Sequence, residues 1–270
     1  MNIQFRFKNP VFNFDPGEVE KKIEYIKKEN IKNVSFDSSI TDFSFLKEMT
    51  FIEEIYFSEN ITADALYHLK DLKRIIVNIE KGKLELDFSN FPKLEYLSID
   101  WFKSFPDLSQ NKQLKALHIW KFKPKSKSFK ELNLPNGLQQ LQITESNIVS
   151  FEGLNITTLN QFEAHYCNSL ESLKGISTIK ENLMVLNLDY CKKLVNYEEL
   201  QNCKKLEKLI IGDCGDLLTI KWLNRLKNIK HFSFWGTKLV DGDTSPCFGI
   251  DYVSFKDLKH YNHKENEFIQ

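Results

Sequence analysis

The sequence predicts a solenoid of the α/β type. A short strand and an irregular return segment repeat along the chain, and the strands stack into one inner parallel sheet. Three observations predict it. Apolar residues recur at positions 1, 4 and 6 of a frame starting at Ile31, Ile52, Leu72, Leu94, Leu114, Leu138, Leu159, Leu183, Leu206, Ile229 and Ile250. The intervals between these eleven starts are all 20 to 24 residues, the length of one supersecondary unit in a repeat array. Both ends of the 270-residue chain depart from the frame, as the terminal units of such an array do.

The elements follow in order. Ile3, Phe5 and Phe7 alternate with polar residues, which predicts a strand. Asp15-Pro16 has the form of a helix N-cap followed by proline at the first helical position. Val19, Ile23 and Ile26 supply an apolar stripe for a helix over about 16–29. Residues 1–30 therefore read as an N-terminal strand-helix cap, and 31–257 as the repeats. In each repeat, positions 3 to 7 form the strand. Alternation sends positions 4 and 6 inward and 3, 5 and 7 to the concave face. Position 9 lies where the chain leaves the strand. An Asn, Cys, Ser or Thr there can satisfy backbone groups of the turn. Convex segments such as 150–154 and 169–176 have i, i+3 apolar spacing suited to short 3₁₀ turns. Lys81-Gly82-Lys83 reads as a turn in the third repeat, which lacks the Asn or Cys position. The polar tail, 258–270, would cover the last coil.

The segments LEYLSIDWF from Leu94, LKALHIWKF from Leu114, LMVLNLDYCKKL from Leu183 and LEKLIIGDCGDL from Leu206 resemble the leucine-rich repeat family, with its motif L-x-x-L-x-L-x-x-N/C-x-L. The resemblance covers about residues 31–257, with Phe often replacing Leu, as at Phe36, Phe57, Phe162 and Phe234. It implies a curved leucine-rich array with an inner parallel sheet and short 3₁₀ or irregular convex turns. The chain is similar to intracellular bacterial members of the short-repeat type, and the resemblance implies binding of another protein.

Composition narrows the function. Thirty-seven Lys and Arg balance 37 Asp and Glu, and only Arg6, Arg74 and Arg225 are arginines. This argues against a nucleic-acid binder, which carries a basic, Arg-rich surface. No run approaches the 18 apolar residues of a membrane span, and MNIQFRFKNP has no signal-peptide core. Five cysteines without framework spacing suggest a reducing compartment, so a cytoplasmic protein is expected. The glycosylation triplets at Asn60 and Asn155 then carry no weight.

Catalytic and metal constellations are weak. Cys167, Cys191 and Cys214 all fall at position 9. A column of thiols could suggest a metal, but the family fills this position for structural reasons. Cys203 and Cys247 have no histidine partner in a catalytic signature. His260 and His263 are spaced for one helix face without further zinc ligands. Asp241-Gly242-Asp243 is a turn, not a calcium loop. No cofactor, metal site or enzymatic activity is expected. Lys121, Lys123, Lys125, Lys127 and Lys130 form a basic segment that reads as solvated surface, with attraction of an acidic partner as the alternative.

The concave face carries the functional signal. Reading positions 3, 5, 7 and 8 coil by coil gives Tyr96, Asp100, Trp101, His118, Trp120, Glu145, His165, Tyr166, Asp189, Tyr190, Asp213 and Trp235 as the candidate protein-binding residues. Nine acids at these positions (Asp37, Glu54, Glu59, Asp100, Glu145, Glu163, Asp189, Asp213, Asp257) against four bases (Arg74, Lys121, Lys208, Lys256) leave the face at about −5. Aromatics mixed with acids suit a protein-binding surface, because rigid rings give area and charge sets encounter. The expected function is a non-enzymatic protein-binding scaffold whose partner has a basic surface, with neither nucleic acid nor membrane as partner. One alternative is an immunity or inhibitor protein that neutralises a basic toxin or nuclease. A further alternative, an effector of ubiquitin-ligase type, would need a catalytic domain beyond the repeats.

Overall fold

The computed structural model describes residues 11–58, 61–79 and 84–268. The strand expected at Ile3 to Phe7, Glu59 and the Lys81-Gly82-Lys83 turn lie outside the described residues. The chain forms two compact units, Met1–Trp120 with Asn133–Leu138, and Lys121–Leu132 with Gln139–Gln270.

The first unit carries β1 (Phe12–Phe14), β2 (Asn33–Phe36), β3 (Glu54–Ser58), β4 (Arg74–Asn78), β5 (Tyr96–Asp100) and β6 (Ala116–Trp120). The second carries β7 (Gln140–Thr144), β8 (Gln161–His165), β9 (Val185–Asp189), β10 (Lys208–Gly212), β11 (His231–Ser233) and β12 (Tyr252–Ser254). Within each unit the strands are parallel and lie in chain order. The eleven strands β2 to β12 each begin at position 3 of one repeat. Alternation accounts for the core. In the second unit Leu141, Ile143, Phe162, Ala164, Leu186, Leu188, Leu209 and Ile211, at positions 4 and 6, are all fully buried. The return segments contain 3₁₀ turns such as Ile176–Thr178, Glu198–Asn202 and Lys221–Arg225. The expected 3₁₀ turn at 150–154 is instead a tight turn closed by the Leu154 N–H on the Phe151 carbonyl. Among the described residues no helix is long and apolar enough to cross a membrane.

The N-terminal end differs from expectation. Helix α1 spans Val19–Lys28, not 16–29. Asp15 accepts from the Gly17 N–H at 2.8 Å and from the Lys22 ammonium at 2.6 Å, so it serves a turn instead of capping the helix. Glu18, with φ of 52°, makes the sharp entry. Strand β1 pairs Phe12 with Val34 and Phe14 with Phe36, and Phe14 stacks on Phe45 at 4.8 Å. Three residues, FNF, are too few for periodicity to announce.

Position 9 carries a repeated link from coil to coil. Thr237 Oγ1 accepts from the Cys214 N–H at 2.9 Å and donates to the Ile211 carbonyl at 3.1 Å. Cys214 Sγ accepts from the Cys191 N–H at 3.4 Å and donates to the Leu188 carbonyl at 3.5 Å. Cys191 Sγ donates to the Ala164 carbonyl at 3.7 Å. Thr237 and Cys214 thus each bond a turn N–H and a strand-end carbonyl of the preceding coil, and Cys191 bonds a strand-end carbonyl, satisfying buried backbone groups without regular secondary structure. Cys191 and Cys214 are used in this structural ladder, while the Cys167 thiol donates to the His165 carbonyl of its own coil at 3.5 Å.

Position 8, just before the ladder, is left-handed on six successive coils of the second unit. Lys121, Glu145, Tyr166, Tyr190 and Asp213 have φ between 47° and 55°, and Gly236 has 72°. The reversal turns the chain out of the strand into the ladder. It also leaves the position 8 side chain projecting at the strand end.

Candidate functional site

The candidate residues separate by exposure. In the first unit, Tyr96, Asp100 and His118 are buried, contrary to the expectation that these face residues stand in solvent. The Arg74 guanidinium lies 3.5 Å from the centre of the Tyr96 ring. Asp100 accepts the Ile79 N–H at 2.8 Å. The His118 ring packs 4.5 Å from that of Trp120. Neighbouring strands are about 4.8 Å apart, so long side chains on adjacent coils cover one another. Trp101 is half-buried and stacks on Phe105 at 4.8 Å. Trp120 remains exposed.

The second unit holds an exposed arrangement. On four successive coils, position 7 is His165, Asp189, Gly212 and Trp235, and position 8 is Tyr166, Tyr190, Asp213 and Gly236. The register places His165 opposite Asp189 and Asp189 opposite Gly212. Tyr166, Tyr190 and Trp235 are 48%, 36% and 54% exposed. The two tyrosine rings stack with centroids 4.7 Å apart and planes within 14°. Lys192 Nζ lies 5.0 Å from the centre of the Tyr190 ring. Asp213 first, then Tyr166 and Asp189, raise the pKa of the Tyr190 hydroxyl. Glu145, two coils before Tyr190 at position 8, is exposed.

The glycines matter here, although they carry no functional group of their own. A Cβ on Gly212 would stand 2.7 Å from Asp189 Oδ1, and one on Gly236 would collide with Asp213 Oδ1. Each aspartate therefore lies across the coil that follows it, in space that only glycine leaves open. The signal was available, because positions 7 and 8 carry side chains on every neighbouring coil of this group except at these two glycines.

His165 sits between two carboxylates. Its Nε2 is 3.0 Å from Glu163 Oε2 and its Nδ1 is 3.6 Å from Asp189 Oδ2. Burial opposes its charge, but the Glu163 hydrogen bond and the fields of Glu163 and Asp189 outweigh burial and raise its pKa above 6.5. Burial also opposes the Glu163 carboxylate, while hydrogen bonds from His165, Gln161 and Asn187 hold its pKa below 4.5. The histidine's contribution is full below its unfolded pKa of about 6.5 and is lost as pH rises through the folded value. The glutamate's is present above its unfolded pKa of about 4.5 and is lost as pH falls through the folded value. The pair therefore supports the fold most between these two pH values. His165→Gln should lose more stability at about pH 5.5 than at about pH 8.5 when urea unfolding is compared with the parent. Equal losses at both pH values would contradict the charge pairing.

The tyrosines occupy a conformation they do not favour. A left-handed non-glycine residue costs about 1–2 kcal/mol, and a stacked aromatic pair returns about 0.5–1.5 kcal/mol. Asparagine tolerates this conformation well. The Tyr166→Asn/Tyr190→Asn double variant should therefore melt within a few degrees of the parent, or above it. A large drop would show that the rings hold the fold together.

The fold has counterparts of known structure. An internalin, inlF, from Listeria monocytogenes is similar with a TM-score of 0.50 and 17% identity, over 86% of this chain and 78% of its own. The TLR13 of a TLR13–ssRNA13 complex gives a TM-score of 0.53 and 11% identity over 84% of this chain. That match spans 36% of TLR13. The leucine-rich repeat domain of the type III effector XopL gives a TM-score of 0.45 and 12% identity, over 79% of this chain and 93% of its own. No family model matches the chain, and no curated protein does.

Proposed function

We propose that this chain, which has the leucine-rich repeat fold, is a non-enzymatic scaffold that binds another protein through the strand ends of β8 to β11. The observation that carries the reading is the exposed, stacked Tyr166–Tyr190 pair held in a costly backbone conformation beside Asp189, Asp213 and Trp235. Strain kept at exposed side chains that add little to the core supports a role outside folding. Rigid rings flanked by charge are what interface anchors consist of. Trp120, and Trp101 beside Phe105, offer further rings on the first unit. A protein partner is favoured over RNA, although a structural counterpart is complexed with ssRNA, because the carboxylates beside the rings, Asp189 and Asp213, outnumber the one cation there, Lys192. The same carboxylates favour one narrower reading, an inhibitor that neutralises a basic toxin or nuclease.

Capture from an extract of the source cell tests this function. The tagged full chain should retain a protein that the Tyr166→Ala/Tyr190→Ala variant, with unchanged circular dichroism, does not. Retention of the same proteins by both chains would remove these tyrosines from the binding surface.

A further inference from the structure

Between Tyr190 and Trp235 the two rows of the site are low. Gly212 and Gly236 carry no side chain, and the Asp189 and Asp213 carboxylates lie across them. Tyr190 and Trp235 stand two coils apart, about 10 Å along the sheet. No side chain at position 7 or 8 between them is longer than an aspartate. The result is a slot with an aromatic wall at each end and a floor of carboxylate.

A cation of the chain itself already lies on the Tyr190 ring. The Lys192 ammonium, on an exposed side chain, rests on the Tyr190 ring at 5.0 Å. Among the described residues neither a hydrogen bond nor an ion pair ties Lys192 to a carboxylate, and the Asp213 carboxylate accepts no hydrogen bond. A cation is thus already placed on the ring, and Asp213, the acid that acts most strongly on the Tyr190 hydroxyl, keeps its acceptor capacity.

We propose that this slot seats an arginine side chain of the partner protein, its guanidinium stacked on Tyr190 and hydrogen-bonded to Asp213, with Lys192 displaced. The proposal rests on the reading that the strand ends of β8 to β11 bind a protein. Guanidinium fits better than ammonium for two reasons. It is planar, so it stacks on a ring while its edge donates two parallel hydrogen bonds to a carboxylate. It is also less strongly hydrated, so seating it costs less desolvation. Asp189 is partly engaged by His165 at 3.6 Å and adds charge at longer range. The glycines are required because a Cβ at Gly236 would collide with the Asp213 carboxylate and one at Gly212 would push the Asp189 carboxylate off its coil.

The test uses the full chain and a fluorescein-labelled hexa-arginine peptide, read by anisotropy. Asp213→Asn keeps the shape and should weaken binding by about tenfold or more. Gly212→Ala leaves every charge in place and should weaken it about two- to threefold, since it displaces only the longer-range Asp189 carboxylate. Lys192→Met should tighten it by about two- to threefold, because the resident cation is removed. Hexa-lysine should bind several-fold more weakly than hexa-arginine. Glu198→Gln, which removes an exposed acid on a return segment, should change nothing. Equal losses for Glu198→Gln and Asp213→Asn would reduce the effect to general charge attraction and overturn the proposal. Tighter binding of an oligo-uridylate than of hexa-arginine would also overturn it. If hexa-arginine fails to bind while the Tyr166→Ala/Tyr190→Ala chain still loses its captured protein, the binding surface stands and the arginine seat falls. If the capture is unaffected as well, both fall.

Discussion

Cys191→Asp lowers stability by about 3–5 kcal/mol, the cost of an uncompensated buried charge. Cys191→Asn lowers it by about 1–2 kcal/mol, because a neutral amide still offers a donor and an acceptor. The difference follows from the ladder. Cys191 Sγ donates to the Ala164 carbonyl, and the site is fully buried. An aspartate there presents only acceptors to a carbonyl and must leave water to do so. Thr237 shows that a neutral hydroxyl can serve at the same position one coil after Cys214. The buried thiols should correspondingly be slow to alkylate in the folded chain. The Cys191 hydrogen bond and burial push the Cys214 thiol well above its ordinary pKa, and burial pushes Cys203 and Cys247 up to about 12. Urea unfolding of the two variants checks the prediction. Equal losses for Asn and Asp would contradict the ladder.

Deletion of residues 1–30 produces aggregation or a loss of most of the stability. We propose that this segment caps the array. Phe14, Ile23 and Ile26 are buried by it, and each such side chain contributes about 1.5–3 kcal/mol. Together they are comparable with the whole stability of a typical domain, about 5–15 kcal/mol. The deletion also uncovers Phe36 and Phe45, on which Phe14 packs, and frees the edge of β2 for pairing with other chains. Light scattering and thermal melting of residues 31–270 check it. A monomeric fragment with an unchanged melting temperature would show that the segment is no cap.

The repeat was legible because its cause is local. Every strand from β2 to β12 starts at position 3 of its frame, since alternation and the position 9 link act within one coil or its immediate neighbour. Exposure was only partly legible. Tyr96 at position 3 and Tyr190 at position 8 both read as concave-face candidates, yet Tyr96 is covered by Arg74 while Tyr190 stands out at a strand end. Position 3 lies within the strand, where the adjacent coil can cover it. Position 8 lies in the left-handed turn, where the backbone points the side chain away. The start of α1 was misplaced because Asp15-Pro16 suits a turn as well as a cap, and the Gly17 N–H settles it. The slot floor was not read at all. Gly212 and Gly236 carry no chemistry of their own, and their meaning comes from the aspartates one coil earlier.

The central claim is that the strand ends of β8 to β11 form the partner surface, and calorimetric titration with the captured partner tests it most directly. Tyr166→Ala and Tyr190→Ala should each weaken binding by about 1–4 kcal/mol, the range of interface anchors, with circular dichroism unchanged. Reversal of Asp189 and Asp213 to lysine should slow association, more at low salt than at high salt, because exposed charges steer encounter and salt screens them. Unchanged affinity in the Tyr166→Ala/Tyr190→Ala chain, with the fold intact, would contradict the account and move the partner surface away from these strand ends.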